Sequence, residues 1–362
     1  MGETTIEFPS GEWTNRTWSP VTGCSKVSAG CKNCYAERIF PRSYSKDRVP
    51  LVQNGRDPDP ARDSDFRPRQ FTDVRWHPDR LERPLHWRRP QRIFVNSMSD
   101  LFHEDVPFEF IDKVRAVMQL TPQHTYQILT KRPERMHILS AALSIERMDR
   151  LMDWVAGFCD EDAIEWAIPE IEHMCDKPLP NVWLVVSVEN QPTADERIPI
   201  LLQTPAAVRG VSYEPALSAV DFTQIKCVGA GFMNALTGQY HETDACTDGL
   251  DWVIIGGESG PGARPFNIQW ARDVIAQCEE ANVARFVKQL GTNPVRPWDK
   301  DQDPVSLLAE GEDESEVILQ MVLDDRKGGN MAEWPEDLRV RELPFEPPLL
   351  HGRLWRSGDT QR

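Results

Sequence analysis

Short runs of β-branched and aromatic residues recur along this chain, each followed by a turn and usually by apolar residues at helical spacing. Arg92-Ile-Phe-Val-Asn-Ser97 reads as a buried strand. Phe108 to Leu120 follows with apolar positions at Phe110, Ile111, Val114, Val117 and Met118, which predicts a helix. Thr125 to Thr130 predicts the next strand and Pro133 to Leu143 the next helix. Asn181 to Ser187 is then a strand, with a helix from about Thr193 to Leu202. Ala207 to Ser212 and Asp251 to Gly256 are two more strands. Asn267 to Ala281 is amphipathic through Ile268, Ala271, Val274, Ile275 and Cys278, and it leads into a strand over Ala284 to Lys288. A first strand is expected between Glu12 and Trp18.

Strands that alternate with helices imply parallel pairing. About seven such units predict an α/β fold, a full or partial (β/α) TIM-like barrel, with a doubly wound open sheet as the alternative. Residues 1–295 are assigned to this domain, with insertions at about 43–90, 145–180 and 222–250. Residues 296–362 are read as an acidic insert, Asp299 to Asp325, and a C-terminal tail packed on the barrel that includes Trp334 to Arg341. There is no solenoid-type repeat.

A hydrophobic content of 40% supports a sizeable core. No apolar run reaches membrane-spanning length, and the first residues carry neither a secretory pattern nor the Ser or Thr of a myristoylation signal, so a cytoplasmic protein without membrane contact is expected. The net charge of −16 excludes a polycationic nucleic-acid binder. The charge is uneven, however. Arg62 to Arg92 holds nine arginines against five acids, with Phe66, Phe71, Trp76 and Trp87 among them. That arm is either a nucleic-acid face, where arginine contacts phosphate and aromatics stack bases, or an irregular segment pinned to the domain by cation–π contacts.

The carboxyl ends of the predicted strands are consistently polar, and in a (β/α) barrel that rim carries the chemistry. The ends hold Asn96, Ser97 and Asp100, then Lys131, then Ser187, Glu189 and Asn190, then Glu214, then Gly256, Gly257 and Glu258, then Lys288. Carboxylates at such places bind ribose hydroxyls or amines or act as acid–base groups, or else they cap the helices that follow. The loop after the first strand, on the same rim, holds Cys24, Cys31 and Cys34 spaced C-x6-C-x2-C. Three thiolates without a fourth suit a [4Fe-4S] cluster with one open iron. Zinc is the rival and needs a distant ligand such as His77, His86 or His103. The bland reading is a chance grouping of buried cysteines. Cys159, Cys175, Cys227, Cys246 and Cys278 have no ligand-like spacing.

Trp18-Ser-Pro-Val-Thr-Gly-Cys24, Cys31-x2-Cys34-Tyr-Ala-Glu37, Phe94-Val-Asn-Ser-Met-Ser-Asp-Leu-Phe102, Leu129-Thr-Lys-Arg-Pro133, Ser187-Val-Glu-Asn190 and Gly256-Gly-Glu-Ser-Gly-Pro261 together resemble the phage-associated three-cysteine-motif family of the radical-SAM superfamily. The likeness runs to about Gly291 and resumes over Trp334 to Leu343. It implies a partial barrel, a [4Fe-4S] cluster on Cys24, Cys31 and Cys34, and S-adenosyl-L-methionine (SAM) on the open iron. It also implies a phage or prophage origin and a partner protein encoded nearby. The chain departs from the usual C-x3-C-x2-C spacing, and its aromatic, Tyr35, follows the last cysteine. On this reading Asn96, Ser97 and Asp100 face the SAM amino group, and Ser187, Glu189 and Asn190 face the ribose. Tyr35 and Gly256 to Glu258 flank the cofactor, and Lys131, Glu214 and Lys288 serve the substrate or proton transfer. An electron donor is then required, and the substrate is unassigned, with nucleic acid a secondary expectation. The rival is a non-catalytic zinc or iron–sulfur phage protein that binds nucleic acid or a partner. A third reading is an iron–sulfur protein that only transfers electrons.

Overall fold

A half-barrel sheet organises the molecule. The computed structural model describes residues 13–44, 46–50, 63–140, 145–156, 178–299, 301, 303 and 317–344. Its main sheet has seven strands: β1 (Arg16–Trp18), β2 (Arg92–Val95), β3 (Thr125–Thr130), β4 (Val182–Ser187), β5 (Val208–Tyr213), β6 (Trp252–Gly256) and β7 (Ala284–Gln289). All neighbours are parallel and lie in strict chain order. A doubly wound sheet reverses its order at a switch point. This sheet never does, which removes that alternative. Among the described residues β1 and β7 do not pair with each other, so the barrel is partial.

The helices are α1 (Tyr35–Ser43), α2 (Phe108–Gln119), α3 (Pro133–Ser140), α4 (Ile145–Ala156), α5 (Gln191–Leu202) and α6 (Ile268–Glu280). Helix α5 starts two residues before the predicted Thr193, because Asn190 and Thr193 form a reciprocal capping box. Helix α3 is described to Ser140, and the rest of its predicted span lies outside the described residues. The stretch from 145 read as an insertion begins with α4.

Alternation along the strands divides the apolar residues between two faces. Leu184, Val186, Val253, Ile255 and Val287 are buried in one core with Ile198 and Leu201 of α5 and Val274 of α6. On the inner face Trp183, Val208, Trp252, Ile254 and Phe286 form a second cluster, joined by Trp13. β4 is buried at all six positions, as a parallel strand covered on both faces must be. Trp13 crosses the inner face: its ring lies 4.8 Å from Phe94 of β2, and Lys288 Nζ of β7 is 5.2 Å from its centre.

The outer edge of β7 is covered by the C-terminal strap. Val287 donates its N–H to Val340 O (2.9 Å), Glu342 donates to Arg285 O (2.8 Å), and Phe286 and Arg341 form an antiparallel bridge. Trp334 and Leu338 anchor the strap, 2% and 0% exposed. Residues 222–250 contribute a small antiparallel sheet of Ile225–Cys227, Gly231–Asn234 and Gln239–Tyr240. Most of Asp299 to Asp325, and both Cys159 and Cys175, lie outside the described residues. No helix among the described residues is long and apolar enough to cross a membrane.

Candidate functional site

The cysteine loop leaves the carboxyl end of β1 through a narrow gap. Gly23 bridges Ser99 and has φ +89°, and a Cβ there would lie 2.7 Å from Phe71 O and 2.8 Å from Asp73 O. Only glycine passes. The Cys24 N–H then donates to Phe71 O (2.9 Å). Cys31 closes the single turn Ala29–Cys31, and Cys34 is the N-cap residue of α1. All three thiols are half-buried.

Two strand-end glutamates hold this loop. Ser28 Oγ donates to Glu189 Oε1 (2.8 Å), and Glu189 is fully buried beside Arg197, whose guanidinium reaches both carboxylate oxygens at 3.3 and 3.4 Å. Lys131 Nζ stands 3.6 Å from the same carboxylate. On the other side Asn33 Nδ2 donates to Glu258 Oε2 (2.8 Å) and to Gly262 O (2.8 Å). Arg264 donates to Glu258 through Nε and NH2 (3.1 and 2.7 Å) and to Ala29 O through NH1 (2.9 Å). Burial works to raise the Glu258 pKa, but the bonds from Arg264 and Asn33 outweigh it and hold the carboxyl below its ordinary range.

A third anchor is Asp100. It accepts from Thr130 Oγ1 (2.8 and 2.9 Å), from the Phe102 and Lys131 N–H groups (3.0 and 3.1 Å) and from Arg132 (3.3 Å). These donors occupy the carboxylate predicted to face an amino group. Arg132 also donates to Cys24 Sγ at 3.6 Å. Burial pushes the Cys24 thiol up to about 12, Asp100 adds to the shift and Arg132 opposes it.

The remaining predicted residues fall into separate places. Glu214 accepts from Lys288 Nζ (2.8 and 3.1 Å) and from Gln289 Nε2 (3.2 Å), and Gln289 also donates to Gly257 O (3.1 Å). Gly256 O accepts from the Ala216 N–H (3.0 Å). Asn96 accepts from the Val21 N–H through Oδ1 (3.1 Å), while its buried Nδ2 has no partner among the described residues. The Tyr35 hydroxyl donates to Ser97 O. Ser187 is buried, its carbonyl bonded to Arg197 (2.8 Å), and Asn190 caps α5.

A family model described as "Protein of unknown function (DUF5131)" matches residues 9–329. The chain belongs to that family. Neither the curated proteins nor the solved structures gave a match. The matched span contains all seven strands, the cysteine loop and the carboxylates that hold it, whereas the strap from Trp334 lies beyond it.

In this DUF5131 chain the donor set fits an iron–sulfur cluster in kind: three cysteines on one short loop, half-buried on the rim, with a guanidinium aimed at one sulfur. No group of three or more His, Cys, Asp or Glu side chains among the described residues is placed to hold a single metal ion. Iron bound there would have to displace the thiol protons. Two of the three histidines considered for zinc have other partners. His77 Nε2 pairs with Thr22 Oγ1 and His103 Nε2 with Ser25 Oγ, each at 2.8 Å, and His86 is exposed. Burial lowers the pKa of both His77 and His103.

The arginine arm turns several of its charges inward. Arg67 grips Asp73 with two 2.6 Å bonds. Arg69 is 5% exposed, donates to Thr22 O and Oγ1 (both 2.8 Å), and lies 5.0 Å from the ring centre of Phe40. Arg83, Arg88 and Arg89 are exposed. Sequence reasoning passed over Ser28, Asn33, Arg132, Arg197 and Arg264. Arg132 and Arg264 stand in the very runs that drew attention to Lys131 and Glu258, but Arg197 lies on the next helix, eight residues from its partner.

Proposed function

We propose that this chain is a [4Fe-4S]-dependent enzyme of the radical-SAM type, acting on a substrate at the inner face of the half-barrel. One observation carries the reading: a three-cysteine loop at the carboxyl rim of a sequentially ordered parallel sheet, tied down by strand-end carboxylates on both sides. Cys24, Cys31 and Cys34 would hold the cluster, which once reduced would supply the electron for reductive cleavage of a SAM sulfonium.

The other roles belong to this chain's own side chains. Glu189 and Glu258 act through Ser28 and Asn33 as anchors of the loop, so their part is positioning. Asp100, filled by its donors, orients Arg132 and the start of α3. Asn96 offers at Nδ2 a donor with no partner among the described residues, which suits the carboxylate of the methionine moiety better than its amino group. Glu214 and Lys288 share a proton-bearing contact at Nζ on the inner face, and Trp13 bounds the space beneath Lys288. They are the acid–base pair of this proposal.

The test is anaerobic purification with iron and sulfide analysis, followed by EPR of the reduced protein with and without SAM. Three to four irons per chain and a [4Fe-4S] signal that changes with SAM are expected. A protein carrying stoichiometric zinc, or no iron after reconstitution, would overturn the reading.

A further inference from the structure

Arg132 is held more tightly than a surface arginine on a rim needs to be. Its side chain is 9% exposed and all three guanidinium nitrogens are engaged. Nε donates to Glu104 Oε2 (2.8 Å), and NH2 donates to Ser25 Oγ (2.7 Å) and Ser25 O (3.4 Å). NH1 is shared between Asp100 Oδ2 (3.3 Å) and Cys24 Sγ (3.6 Å). The backbone is fixed as well, since the Arg132 N–H donates to Thr130 Oγ1 (2.9 Å) immediately before α3 begins at Pro133. Ser25 is itself held by His103 at 2.8 Å.

The chemistry of NH1 is informative. A neutral thiol is a weak acceptor, and a guanidinium N–H turned toward one gains little. A thiolate bound to iron is a strong acceptor, and its charge rises when the cluster takes an electron. Hydrogen bonds to ligand sulfurs, together with local charge and burial, set the potential of such centres. Glu104 tempers the effect from the far side of the guanidinium, and its carboxylate is 61% exposed.

We propose that Arg132 is a positioning residue that raises the reduction potential of the cluster held by Cys24, Cys31 and Cys34. The proposal rests on the cluster reading above. Reduction adds one electron, supplied by a low-potential one-electron donor, and breaks no bond. The added negative charge is stabilised by the Arg132 cation beside Cys24 and by the N–H directed at its sulfur.

The experiment is an EPR-monitored redox titration of the reconstituted full chain, with dithionite as reductant and iron determined on every sample. Arg132→Gln with unchanged iron per chain is expected to shift the midpoint to a more negative value. Arg132→Lys, which keeps the charge but loses the fork, is expected to fall between the two. Arg132→Gln leaves Asp100 and Glu104 without their partner and can fail to fold. Glu104→Gln, at an exposed position, decides that case: it leaves the Arg132 charge less compensated and is expected to move the midpoint upward. Unchanged midpoints in variants that keep their iron would overturn the role of Arg132 while leaving the cluster reading intact. A wild-type chain that assembles no cluster removes the cluster reading itself, and this inference with it.

Discussion

Gly30→Ala tests the attachment of the cysteine loop to the sheet. A Cβ at this position would lie 2.5, 2.6 and 2.7 Å from Oε1, Cγ and Cδ of Glu189. One of the two must move. Displacing Glu189 would strip Arg197 (2% exposed) of its counter-ion, a disruption of about 3–5 kcal/mol. Displacing the loop breaks the 2.8 Å bond from Ser28 to Glu189, a hydrogen bond to a charged group worth about 1.5–3 kcal/mol. The second route costs less, so the loop lifts. That lowers the docked population by roughly one to two powers of ten. The cost stays local, because the loop residues are half-exposed and the core beneath is untouched. Amide exchange at Cys31 and Lys32, whose N–H groups donate to Ser28 O (3.0 Å) and Ala29 O (3.2 Å), is expected to accelerate by that factor. The denaturant midpoint of the whole chain changes little. Wild-type exchange at these two amides in the Gly30→Ala protein would show that the loop does not depend on its seat over Glu189.

Three further outcomes follow from the same geometry. Glu189→Ala leaves Arg197 buried without its carboxylate and is expected to cost about 3–5 kcal/mol in urea unfolding, far beyond a surface substitution. Trp334→Ala removes the strap's buried anchor, with an expected loss of about 3–5 kcal/mol and faster exchange at the Val287 and Glu342 amides; slow exchange there would mean that the strap is held by something else. Acid weakens the fold through His77 and His124, both held down at about 4, chiefly by burial. The unfolded chain takes up protons between the ordinary value of 6.5 and about 4 that the folded chain refuses, so stability falls as pH drops through that window. His77→Gln combined with His124→Gln is expected to flatten that part of the stability–pH curve.

Strands β2 to β7 were readable because each is a short, largely apolar run with a polar carboxyl end. The inner-face Trp183, Trp252 and Phe286 are as apolar as the helix-facing residues. Whether the barrel closes was not readable, because closure depends on how far the sheet curls between β1 and β7 and no local pattern records that. At the rim, polar strand ends marked the right residues. Their partners were hidden for a physical reason. Arg197 reaches Glu189 from α5, and Asn33 reaches Glu258 from the far end of the chain, so both pairings exist only after the sheet has formed. Asp100 shows the cost of judging a carboxylate alone, since Thr130 and Arg132, one strand later, already fill it.

The strap gives the chain a vectorial problem during synthesis. β7 ends at Gln289, but the backbone groups that pair with it belong to Val340 and Glu342. About fifty residues must leave the ribosome before that border is sealed, and at roughly 5–20 residues per second the delay is several seconds. Meanwhile β7 presents an unpaired row of N–H and C=O groups, the template on which two nascent chains on one polysome can join. Charged side chains at Arg285 and Lys288 are the nascent strand's own defence in that interval, before Glu342 and the rest of the strap arrive to replace it.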